Sequence, residues 1–146
     1  MSAEEKKLAY EIKHGIRFAR WCFAFWEGTK RGELLIQQCK DCGKKMFPPR
    51  LYCTGCMSQN IEWIKASGKG KIYTYSVAYE YPPPRVEKYL KVPYIAALVN
   101  LEEGVRMMTT IVECKPEDVK CDMDVEVVFQ DIGEEVTLPR FKPVAK

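Results

Sequence analysis

The sequence predicts a mainly β chain with N-terminal helices: a metal-stapled ribbon followed by a small barrel. Three observations carry that reading. Two C-x-x-C pairs, Cys39-Lys40-Asp41-Cys42 and Cys53-Thr54-Gly55-Cys56, stand ten residues apart. From Ser67 onward apolar residues alternate with polar ones in short runs separated by turn residues, the period of strands. Ahead of Leu34 the period is that of helices. The expected division is a helical segment over 1–34, the ribbon over 35–66 and the barrel over 67–146.

Ser2-Ala3-Glu4-Glu5 has the form of a capping box, so a helix is expected at once, running to about Lys13 and breaking at His14-Gly15. A second helix places Phe18, Trp21, Cys22, Phe25 and Trp26 on one broad face, with Gly28 expected to end it. A chain of 146 residues has little core with which to cover two tryptophans and two phenylalanines. Phe18, Trp21, Phe25 and Trp26 therefore pack on the ribbon or form a partner surface. His14, the single histidine, reads as exposed punctuation at the helix break.

Leu34 to Gln38 enters the first cysteine pair as a strand, Lys44 to Arg50 is an edge ended by two prolines, and Ile61 to Ile64 returns. The two tight turns bring Cys39, Cys42, Cys53 and Cys56 onto one ion, with sulfurs at about 2.3 Å in a tetrahedron. Gly43 suits the bend. A redox C-x-x-C comes once, beside a βαβ pattern that this chain lacks. Structural disulfides need an oxidising compartment and a secretion signal; seven cysteines, an odd number, without a secretory segment point instead to a reducing cytoplasm. Zinc is the usual occupant, although four sulfurs also suit iron. Four thiolates leave no open position, so the expected metal folds the ribbon rather than catalysing. Cys22, Cys114 and Cys121 read as buried small hydrophobes rather than reactive thiols.

In the barrel, Lys71 to Glu80 sets Tyr73, Tyr75, Val77 and Tyr79 on one face and Ile72, Thr74, Ser76 and Ala78 on the other. The proline-rich run from Tyr81 to Pro93 is no central strand, and its length marks a functional loop. Tyr94 to Leu101 and Val105 to Cys114 form a hairpin turning at Glu102-Glu103-Gly104. A helical turn at Lys115 to Val119 precedes strands from Val125 to Ile132 and Val136 to Phe141. Five strands with one long early loop and a late helical turn suit an OB-type barrel, and an SH3-like barrel has a similar strand count.

Residues 1–100 carry 17 basic against 9 acidic side chains, and residues 101–137 carry 3 against 11. That asymmetry is compatible with anion binding on one side, and equally with solvated faces. The most apolar stretch, Phe18 to Trp26, is short and holds Arg20, so no membrane span is expected. No nucleophile–base set can form around one histidine. Gly68-x-Gly70 precedes a strand rather than a helix, and Glu102-Glu103 and Glu134-Glu135 fall in turns, where solubility explains them. Nothing supports an enzyme acting alone. Two binding features remain. Arg85, Lys88 and Lys91, beside Tyr94, can meet the phosphates of a nucleotide-like ligand. Tyr73, Tyr75 and Tyr79 with the neighbouring lysines have the look of a face for single-stranded nucleic acid.

The ordered series Phe25-Trp26, Cys39-x-x-Cys42-Gly43, Phe47-Pro48-Pro49-Arg50, Cys53-x-x-Cys56, Glu62-Trp63, Ser67-Gly68-Lys69-Gly70, Pro93-Tyr94, Leu101-x-Glu103-Gly104-Val105 and Pro139-x-Phe141 resembles the domain-of-unknown-function-35 family. The resemblance covers nearly the whole chain and implies N-terminal helices, a rubredoxin-like zinc ribbon and an OB-fold. One departure is Asp122-Met123-Asp124, where the family usually has a Gly-x-Pro turn; aspartate tolerates the left-handed conformation such a turn needs. The resemblance further implies acyl-CoA metabolism. The chain would be a non-catalytic, acyl-CoA-binding scaffold for a thiolase, a 3-hydroxy-3-methylglutaryl-CoA synthase, or a hydratase or aldolase acting on CoA thioesters in lipid, polyketide or isoprenoid-type metabolism. Arg85, Lys88, Lys91 and Tyr94 would then serve CoA. The rivals are a single-strand nucleic-acid binder and, if the metal is iron, an electron carrier.

Overall fold

The structure, a computed structural model, describes residues 19–80, 84, 90–134 and 136–145. The expected first helix, His14, Phe18, Arg85 and Lys88 lie outside the described residues. A 3-10 turn, Arg20–Cys22, leads into helix α1, Phe23–Lys30. Eight strands follow: β1 Leu35–Cys39, β2 Lys45–Met46, β3 Ile61–Lys65, β4 Lys69–Ala78, β5 Tyr94–Leu101, β6 Arg106–Ile111, β7 Asp124–Asp131 and β8 Thr137–Pro143.

Helix α1 does not stop at Gly28. It runs to Lys30 and closes in a Schellman motif, with Glu33 N–H donating to Gly28 O at 2.9 Å and Gly32 N–H to Thr29 O at 3.0 Å. Gly32 supplies the left-handed residue at φ +76°. Gly28 is there for a different reason: a Cβ at that position would lie 2.8 Å from the Leu35 side chain.

The ribbon is a three-stranded antiparallel sheet in the order β2-β1-β3. Its second strand is shorter than the sequence suggests. After Met46 the chain leaves the sheet, and the buried Gln37 amide holds it by both ends: Nε2 donates to Arg50 O at 3.0 Å and Oε1 accepts from Arg50 N–H at 2.7 Å.

The five remaining strands close a barrel in the order β4-β5-β6-β8-β7. Antiparallel β4–β7 pairing and the parallel Ile111–Phe141 bridge between β6 and β8 give OB rather than SH3-like connectivity. Ile72, Val99, Val125 and Phe141 fill its centre, fully buried. Strand β4 corrects the expected faces. A bulge between Ile72 and Thr74 adds one residue, Tyr73, and inverts the alternation beyond it. Ile72, Tyr75 and Val77 stand opposite the buried Val99, Ala97 and Ile95, while Thr74, Ser76 and Ala78 face out with Leu98, Ala96 and Tyr94. Asp122, in the turn where the family pattern has glycine, is left-handed at φ +63°, as its short side chain allows.

Ribbon and barrel meet at Ser67 to Gly70, a junction fastened from both sides. Val127 N–H donates to Gly68 O at 2.7 Å, Glu102 N–H donates to Lys69 O at 3.0 Å, and the Glu103 carboxylate accepts Ser67 N–H at 2.5 Å. Gly68, at φ +78°, admits no side chain, since a Cβ would sit 2.4 Å from Val127. Glu103 is therefore more than a solubilising turn residue. Glu103→Ala is expected to cost about 1 kcal/mol and to speed amide exchange at Ser67 selectively, with Glu103→Gln keeping most of the protection. Equal exchange at Ser67 in all three proteins would show the carboxylate to be incidental.

Candidate metal centre and ligand groove

Each cysteine pair ends a strand or loop in the same tight turn. Gly43 N–H donates to Cys39 O at 2.9 Å and Met57 N–H donates to Cys53 O at 3.0 Å, so the two turns are local copies. They bring the four sulfurs within 4.8 Å of one another. Cys39 Sγ lies 3.6 Å from Cys56 Sγ, and Cys42 Sγ lies 3.5 Å from Cys53 Sγ. Four sulfurs at about 2.3 Å from one ion would lie about 3.8 Å apart, so the set is close to the spacing of a tetrahedral metal site.

Electrostatics point the same way. The backbone N–H groups of Cys56 and Gly55 draw Cys53 down to about 6, with Gly55 N standing 3.3 Å from the sulfur. The Ser58 N–H favours ionised Cys56, but the nearby sulfurs, Cys42 foremost, and burial outweigh it and push Cys56 up to about 12. Sulfurs so close oppose one another's ionisation, and a central cation would favour the thiolate form of all four. Backbone N–H donors to the sulfurs are the outer shell that such a centre uses. The four cysteines form a zinc-binding site.

The other thiols differ among themselves. Cys22 and Cys114 are half-buried, and burial raises both. Cys121 is exposed, against expectation, because it sits in the turn before β7.

A cavity of about 510 Å3 opens between the ribbon and the barrel. Phe25 and Trp26 of α1 and Phe47 of the ribbon form one wall. Ala96, Met108 and Thr110 on β5 and β6, with Leu138 on β8, form the other. Phe25 sits edge-on to Trp26 at 5.1 Å between ring centroids and tilts against Phe47 at 5.5 Å. At one end lie Leu90, Tyr94, Thr110 and Arg140, which also line a second cavity of about 350 Å3 that includes Lys91 and Gln130. Arg140 is buried, which lowers its pKa from the usual arginine value; Nε donates to Gln130 Oε1 at 3.1 Å and the guanidinium also meets Thr110 Oγ1. An apolar trough thus ends at a buried cation and an exposed lysine.

The structure brings Lys91 and Tyr94 to this mouth. Of the aromatic helix residues, Phe25 is only 4 % exposed and packs inward on Phe47, so it offers a partner no surface; Trp26 is half-buried, and Trp21 is exposed. Sequence reasoning missed Phe47, Met108, Leu138 and Arg140, which come from separate elements and share no local pattern. Among the described residues no helix is long and apolar enough to cross a membrane.

A tetrathiolate ribbon fused to a closed five-stranded barrel of this connectivity defines the class: a zinc-ribbon OB-fold protein. Residues 26–62 match the family described as "ChsH2, rubredoxin-like zinc ribbon domain", and residues 63–130 match "ChsH2, C-terminal OB-fold domain". The chain belongs to the DUF35 family of scaffold proteins. It is 46% identical to a "DUF35 domain-containing scaffold protein" of Methanocaldococcus jannaschii, over 75% of this chain and 77% of that one. It is 37% identical to a "Probable enoyl-CoA hydratase alpha subunit" of Thermomonospora curvata over 82% of this chain, but spans only 37% of that longer protein. Against "Benzoylsuccinyl-CoA thiolase subunit BbsA" of Geobacter metallireducens the identity is 33%, over 65% of this chain and 60% of the other. The solved "Ltp2-ChsH2(DUF35) aldolase" superposes with a TM-score of 0.80 at 33% identity, covering 88% of this chain and 98% of that one.

Proposed function

We propose that the chain is a non-catalytic scaffold subunit that docks on a thiolase-type or related CoA-thioester enzyme and binds the acyl-CoA itself. The trough between α1 and the barrel carries the second part of this reading. Its walls are aromatic and aliphatic, suited to an acyl or pantetheine chain, and its mouth holds the Arg140 and Lys91 cations. Arg85 and Lys88, which precede Lys91 in the sequence and lie outside the described residues, are the other phosphate contacts proposed. That relatives are named as hydratase and thiolase subunits, and one as part of an aldolase, supports the choice of partner class.

The expected result is calorimetric binding of an acyl-CoA, weakened about tenfold or more by Lys91→Ala combined with Arg85→Ala and Lys88→Ala, and weakened by Tyr94→Ala. Unchanged affinity in the triple variant would remove the phosphate assignment. The nucleic-acid reading has less to stand on. The Arg106 guanidinium lies 3.5 Å from the Tyr73 ring centroid and covers one face of it, Tyr75 falls in register with the buried Ala97 rather than beside Tyr73, and the outward row of Thr74, Leu98 and Met108 holds no cation. A dT oligomer titrated at low salt is expected to give no binding.

A further inference from the structure

The second cysteine turn carries a surface with no role in holding the metal. Trp21, Leu51, Tyr52 and Met57 are 43 %, 53 %, 45 % and 70 % exposed, and with Arg50 and Thr54 they line a shallow groove of about 340 Å3 over Cys53. Contiguous exposed apolar side chains of this size mark interaction sites. The residue types are those that dominate binding energy at interfaces: tryptophan, tyrosine and arginine, with methionine beside them. The backbone beneath is held in advance, because Gln37 grips Arg50 at both N–H and C=O.

Met57 is the most telling. It occupies the place in the second turn that Gly43 occupies in the first, and both residues are left-handed, at φ 63° and φ 76°. Glycine is the residue for that conformation, and a polar residue is the choice for that exposure. Met57 breaks both local rules, and although its N–H closes the turn on Cys53 O, its side chain supplies nothing to the metal centre. Positions that break local rules without local return are where function is found.

We infer that this groove is the docking site for the partner enzyme, and that it receives an apolar side chain of that enzyme flanked by a carboxylate for Arg50. Arg50 is the only charged residue lining the groove among the described residues, so its charge sets the sign of what it accepts. The inference rests on the scaffold reading and adds to it where the enzyme sits. The surface lies on the ribbon knuckle and shares no lining residue with the acyl trough, so enzyme and acyl-CoA can be bound together.

The test uses the zinc-loaded full chain and the CoA-thioester enzyme that co-purifies with it, identified by mass spectrometry and by its own activity. Trp21→Ala and Tyr52→Ala are each expected to weaken the complex about 30-fold or more, and Arg50→Glu similarly. Tyr73→Ala on the barrel is expected to change it less than about threefold. Met57→Gly separates this idea from a structural role: it should raise the Tm of the free chain by relieving the left-handed methionine, yet weaken the complex about tenfold. Leu51→Glu and Met57→Glu, both at exposed positions, serve if the aromatic variants lose zinc. If no CoA-thioester enzyme binds the wild type, the scaffold reading falls and takes this one with it. If the enzyme binds wild type and groove variants alike, only the docking site falls. A free chain that dimerises and is dispersed by Leu51→Glu would assign the groove to a second copy and overturn the inference.

Discussion

Stripping the metal, or replacing Cys53 by serine, is expected to unfold the ribbon while leaving the barrel strands paired. The ribbon's own apolar cluster is Cys39, Met46 and Cys53 with Ile61 against it, so two of its three buried members are themselves ligands. By contrast, the barrel keeps Ile72, Val99, Val125 and Phe141 whatever happens to the metal. Zinc binding to such a unit is folding energy, on the order of 10 kcal/mol at neutral pH. Amides of β1 and β3 should therefore lose exchange protection on chelation while those of β5 and β7 keep theirs. Full protection of β1 in the demetallated protein would show that the ribbon folds unaided. The pH dependence has a definite sign. The bound state holds four thiolates and so binds fewer protons than the unfolded, metal-free ribbon, whose thiols titrate near the ordinary cysteine value of about 8.5. Stability of the ribbon accordingly rises with pH, and acidification displaces the ion. A zinc indicator dye should report release as the pH is lowered, and occupancy that does not change with acid would contradict a thiolate site.

What could be read from the residues was what is local. Two C-x-x-C pairs need only a hairpin to converge, and they do. Strand β5 runs from Tyr94 to Leu101, the expected bounds, because alternation and a Glu-Glu-Gly turn define it without outside help. What escaped was decided by contacts across the fold. Gly28 looked like a helix end, but it is small because Leu35 crosses it, and the helix closes four residues later at Gly32. The bulge at Tyr73 reversed the faces of β4, and no pattern in the strand itself announces an extra residue. Glu103 read as a soluble turn residue until the junction at Ser67 folded against it. The trough draws its walls from α1, the ribbon and three barrel strands, so only the closed fold assembles it.

Phe25→Ala is expected to be among the most damaging single truncations outside the metal site, because Phe25 is where helix, ribbon and barrel meet. The ring is buried, touches Trp26 and Phe47, and belongs to the same apolar cluster as Leu34, Ile36 and the barrel core. Removing a buried phenylalanine costs about 3–5 kcal/mol, partly in lost burial and partly in the cavity left behind. Here the void would open directly into the trough, whose wall Phe25 forms, so collapse of α1 toward the gap and a change in the shape of the proposed ligand site should come together. Denaturant unfolding should show the stability loss, and acyl-CoA affinity should fall while zinc stoichiometry stays at one per chain. Met108→Ala is the contrasting case. Its side chain lines the same trough but is exposed, so stability should hold within about 0.5 kcal/mol while ligand affinity changes. If both variants leave acyl-CoA affinity untouched, the trough is packing space rather than a site; if Phe25→Ala alone alters it, the helix position matters and the barrel wall does not.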